Sequence, residues 1–131
     1  MRKGFTLVEI LLEAVFLVFT ISAVLMLFAN CIFLNISNRA LTIATSHAQR
    51  VMEEIRGTNF STVEANINNG NWDWDSNTIE GKGFFALPAE AIDTNKLGAS
   101  SDLLNVLITV SWQGYRQRSK SVSLETLFAE L

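Results

Sequence analysis

The chain has 131 residues, room for one small domain, and whatever it gives to a membrane segment shrinks the soluble part further. Ten basic against 13 acidic residues and one histidine leave a formal net charge of -3, the wrong sign for a chain that binds nucleic acid by neutralising phosphates. A single cysteine, Cys31, excludes an intrachain disulfide and a cysteine metal cluster.

The chain opens with "MRKGFTLVEILLE" and carries no charged residue from Ala14 to Asn38. That run is apolar on every face and long enough for a bilayer, which a helix of about 20 residues crosses. Arg2 and Lys3 precede it and Arg39 is the next basic residue, a pattern that favours a cytoplasmic N-terminus and an extracytoplasmic remainder. A cleaved secretory signal fits less well, because its apolar region is shorter and no small-x-small site follows. The lipoprotein variant fails because Asn30 precedes Cys31 where a small residue is expected. Inside the span Cys31 behaves as a small hydrophobe. Glu9 and Glu13 need a reason, since an ionisable side chain in a membrane costs a few kcal/mol on insertion scales and marks function by default. Either they stay near the wet cytoplasmic interface or they meet a partner.

Beyond the span, Ala40, Ile43, Ala44, His47, Ala48, Val51, Met52 and Ile55 recur at spacings of three and four, one apolar stripe on a helix that continues to Arg56. Phe5 to Arg56 then makes one rod of roughly 78 Å. Gly57 supplies a stop. Residues 58–101, rich in Asn, Gly, Ser and Asp and holding the single proline, Pro88, with "GFFAL" as their one apolar cluster, read as a long variable loop with room for one strand. "NVLITVSW" puts Val106, Ile108, Val110 and Trp112 on one face, and "SVSLETLF" does the same with Val122, Leu124, Thr126 and Phe128. Period two means strands. The polar "QGYRQRSK" between them, with Gly114, reads as a hairpin loop. Both apolar faces bury against the helix stripe, so the fold class is α+β: a long N-terminal helix on a small antiparallel sheet.

Candidates for chemistry are few. His47, the one histidine, has no catalytic partner at a useful spacing and reads as a structural residue at the helix–sheet boundary. Asp73, Asp75 and Asn77 alternate as at the start of a calcium loop, but Thr78 replaces the required glycine and Phe84 stands where the bidentate acid belongs. An EF-hand is excluded, and an exposed acidic turn is the simpler reading. Trp72 and Trp74, flanking these acids, plug a loop onto its core or, if exposed, mark an interface. No cofactor is expected, and no catalytic residue.

The opening stretch "RKGFTLVE" resembles the cleavage and assembly motif of type IV pilins and type II secretion pseudopilins: a basic leader, a glycine, an aromatic, Thr, two aliphatics and Glu, followed at once by an uncharged span. More weakly, "AQRVMEEIRG" and "VSWQGYRQRSKSVSLETLF" resemble the I-type minor pseudopilins and V-type minor pilins. Many major pilins kink the span with a proline, and none lies between Phe5 and Arg56 here, which favours a minor subunit. The resemblance implies a pilin-like fold and cleavage of Gly4-Phe5 by a prepilin peptidase, with N-methylation of Phe5. It implies an assembly role for Glu9, and other pilin or pseudopilin subunits as partners. It places the chain in the inner (cytoplasmic) membrane and then in a filament, as a non-enzymatic subunit at or near the tip of a type II secretion pseudopilus or a type IV pilus. Some pseudopilins also bind calcium in loops, which keeps a looser site at Asp73 and Asp75 open. Divided accordingly, residues 1–4 are leader, 5–38 the transmembrane half of the helix, 39–57 its amphipathic half and 58–131 an extracytoplasmic head, with 58–101 variable and 102–131 a β-hairpin. The alternative is a single-pass membrane protein whose small extracytoplasmic domain binds a ligand or assists a transporter.

Overall fold

A computed structural model describes residues 6–99 and 103–129. Helix α1 (Leu7–Arg56) is continuous over 50 residues, close to 75 Å at the usual rise. It belongs to two compact units that divide between Ile36 and Ser37.

In the first unit every described residue is exposed, Thr6 through Ile36 alike. So many bare apolar side chains on all faces are what a lipid or protein surrounding tolerates and water does not. The few hydroxyls are satisfied locally: Thr20 donates to the Phe16 and Leu17 carbonyls and Ser22 to that of Val18. A helix in hydrocarbon needs its polar side chains closed in this way. By length and composition α1 is able to cross a membrane near the N-terminus.

In the second unit the rest of α1 packs on a four-stranded antiparallel sheet in the order β1-β2-β3-β4, formed by β1 (Trp74–Asp75), β2 (Ala91–Ala99), β3 (Leu103–Gln113) and β4 (Ser119–Ala129). The stripe on the helix behaves as its spacing predicts: Ala44, His47, Ala48, Val51 and Ile55 are buried, and Ala40, Ile43 and Met52 pack partly against the same core. Strand β3 alternates strictly, burying Leu104, Val106, Ile108, Val110 and Trp112. On β4, Val122, Leu124 and Phe128 are only half-buried, as an outermost strand leaves them. Val51, Ile55 and Val110, expected to share a core, do so, with Leu124 at its margin.

The segment from Thr58 to Ala99 departs from the loop expected of it. It holds α2 (Phe60–Asn68), β1, α3 (Ser76–Gly81) and β2. Asn59 caps α2 by accepting from the Ser61 N–H, and Val63 and Ile67, one turn apart, are the residues this helix buries. No strand forms at "GFFAL": Phe84 and Phe85 are exposed, Leu87 is buried in the core and Ala86 packs partly against it. The strand arises from residues 91–99, where Ile92 and Thr94 alone face inward before a bulge between Lys96 and Gly98.

Candidate functional site

Gly4 and Phe5, the expected cleavage pair, lie outside the described residues. Glu9 stands in the first turn of α1, its backbone N–H bonded to the Thr6 carbonyl at 3.0 Å. A carboxylate suits that place, because the first N–H groups of a helix carry partial positive charge. Its side chain is exposed and has no hydrogen-bond or ion-pair partner among the described residues. Glu13, one turn further on the same face, is in the same position. Around them stand Leu7, Val8, Ile10, Leu11 and Leu12, all more than half exposed. What this terminus offers chemically is therefore a pair of carboxylates with open acceptor capacity, set at the start of an unpacked apolar helix.

The acidic turn is accounted for by the fold. Asp75 is the N-cap of α3, accepting from the Thr78 hydroxyl at 2.6 Å and the Thr78 N–H at 2.8 Å. The hydroxyl first, then the N–H, hold its carboxyl below the ordinary 3.8. Asp73 accepts from the Thr94 N–H at 2.8 Å, tying this turn to β2. Each acid thus has a protein donor, and the described residues contain no cluster of three or more His, Cys, Asp or Glu arranged to hold a metal. Trp72 and Trp74 are buried in the core, the plugging role rather than the interface one.

A pairing with no local sequence signal lies under the helix. His47 Nδ1 is 2.7 Å from Glu90 Oε1, and Glu90 Oε2 accepts from the Leu87 N–H at 2.7 Å. Both residues are buried, so each leaves the other's polar atoms satisfied rather than stranded. The unit is a clamp that fastens the turn at residues 87–90 to α1. His47 is buried on the helix stripe that faces the sheet, where it was expected, although its carboxylate partner was not foreseen. A histidine on an otherwise apolar stripe does announce that some acceptor must reach it.

No protein-family model, curated protein or solved structure matches this chain.

Proposed function

We propose that this chain is a minor pilin or pseudopilin: an assembly subunit held in the inner membrane by α1 and drawn into a short filament through that helix, at or near its tip, in support of protein secretion or pilus biogenesis. The observation that carries this reading is the two-part helix, bare and apolar from Leu7 to Ile36 apart from Glu9 and Glu13, which have no partner among the described residues, then packed beneath the sheet from Ala44 onward. An anchor alone needs the apolar half. It does not need a carboxylate in its first turn.

In this reading a prepilin peptidase removes Met1 to Gly4 and leaves a positively charged, methylated amine on Phe5. A neighbour displaced along the filament brings that amine to the Glu9 carboxylate of the next subunit. Opposite charges attract strongly where the effective dielectric is well below that of water. Because a subunit seated out of register buries a lone charge, the pair selects axial register more than it adds net stability. Glu13 is not part of the motif and stays near the cytoplasmic interface. The test compares Glu9→Leu with Glu13→Leu, following cleavage and co-purification of sister subunits. Glu9→Leu is expected to be cleaved normally yet assembled poorly, with Glu13→Leu much milder; normal assembly of Glu9→Leu overturns the role.

A further inference from the structure

We propose that the free edge of β4 is a docking site for an extended segment of a different protein chain, which adds to the sheet as a further antiparallel strand. The contact lies wholly within the sheet-bearing unit and goes beyond the assembly reading, whose anchor it does not need.

The two edges of the sheet differ in how they are closed. On one side the outermost strand, β1, is two residues long, and β2 behind it is bulged between Lys96 and Gly98. The Asp73 carboxylate accepts from the Thr94 N–H at 2.8 Å, and Lys96 is held by Glu64 of α2. Short strands, bulges and covering side chains are the ways in which proteins keep an edge from pairing. Among the described residues β4 has none of these. It runs for 11 residues without proline or glycine, and its register against β3 is unbroken from Gln113 opposite Ser119 to Leu103 opposite Ala129.

The ladder decides which groups stand open. The Gly114 N–H donates to the Arg118 carbonyl at 2.8 Å on the same register, so the even-numbered residues of β4 exchange bonds with β3. The N–H and C=O of Ser119, Ser121, Ser123, Glu125, Leu127 and Ala129 therefore point to the free edge, and none of these backbone groups has a partner among the described residues. On the helix side of the same strand Val122, Leu124 and Phe128 pack against the core yet stay half-buried. An added strand closes both deficits, pairing the open backbone groups and covering the margin of the core.

The charges of β4 disfavour a second copy as the occupant. Lys120 faces the helix side and donates to Ser37 Oγ at 2.6 Å, whereas Glu125 faces the other way and accepts from Asn105 Nδ2 at 2.6 Å. Both of these partners are neutral, and neither charge has an ion pair among the described residues. Two β4 edges paired over their full length centre on Leu124, opposing Lys120 to Phe128 and Glu125 to Ser123. No slide brings Lys120 opposite Glu125, because directly opposed residues share a face and these two do not. The occupant that fits carries an acidic residue against Lys120 and a basic one against Glu125, with apolar side chains on the helix side between them.

The test uses the full chain in detergent micelles with synthetic peptides as long as β4, following hydrogen exchange at each amide. The first peptide has valine at its second, fourth, sixth and eighth positions, lysine at the fifth, glutamate at the tenth and threonine elsewhere. It is expected to slow exchange at the Ser121, Ser123, Glu125 and Leu127 N–H groups roughly tenfold once present at ten times its dissociation constant. Interchanging its lysine and glutamate is expected to weaken binding about tenfold. N-methylation at the odd positions removes the donors that face β4 and is expected to abolish protection, whereas N-methylation at the even positions leaves it. No protection at millimolar peptide, or equal protection by the peptide methylated at odd positions, overturns strand addition. Equal binding of the interchanged peptide overturns the assigned charge pattern of the partner. Protection of these amides that rises with the concentration of the chain alone overturns the different-chain assignment and makes a second copy the occupant.

Discussion

His47 and Glu90, 43 residues apart in the chain, meet in the core with Nδ1 and Oε1 2.7 Å apart, and the second oxygen of Glu90 is taken by the Leu87 N–H. The stability of the sheet-bearing unit depends on this clamp because neither partner has water to fall back on. His47→Ala leaves a buried carboxylate with one donor, and Glu90→Ala leaves an imidazole and a backbone N–H unpaired. Each is expected to cost about 3–5 kcal/mol, and the double variant less than the sum. Urea unfolding of the single and double variants measures it; additive losses would mean that the two side chains are not coupled.

Val51 is fully buried in the middle of the helix stripe. A charge there has no partner among the surrounding apolar side chains, so Val51→Asp is expected to cost several kcal/mol and to open the sheet-bearing unit to protease. The proposed anchoring through the apolar residues up to Ile36 should be unchanged. If protease resistance is unaltered, the stripe faces a partner rather than its own sheet.

The cap on α3 carries a pH dependence. The Asp75 carboxyl sits below its ordinary 3.8 because Thr78 donates to its charged form. Its contribution is therefore present above the unfolded value and lost as pH falls through the lower folded one. The group is fully exposed, so the effect is small. The difference in urea midpoint between wild type and Asp75→Ala is expected to stay constant near neutrality and to shrink below about pH 4. A difference that persists at still lower pH would show that the cap does not depend on ionisation.

Much of this architecture is legible in the order of the residues. The helix stripe and the two long strands follow from periods of three to four and of two, repeated over enough residues to stand out. The segment after Arg56 does not, because its elements are short. Helix α2 buries two side chains and α3 one, and β2 turns only Ile92 and Thr94 inward. Periodicity over so few positions cannot be told from chance, and the Asn and Asp that read as loop chemistry are the helix caps themselves. Likewise the clamp joins two distant positions, and pairing across a fold leaves no local spacing to read. At the N-terminus the reverse holds: the resemblance that runs from Gly4 to Glu9 is read from the sequence alone, and Gly4 and Phe5 lie outside the described residues.

The most direct measurement of the assembly reading is the intact mass of the chain recovered from membranes that contain a prepilin peptidase. A chain beginning at methylated Phe5 is expected, with the precursor accumulating when Gly4 is replaced by a bulky residue. A chain that keeps Met1 to Gly4, or normal processing of the Gly4 variant, would contradict the assignment.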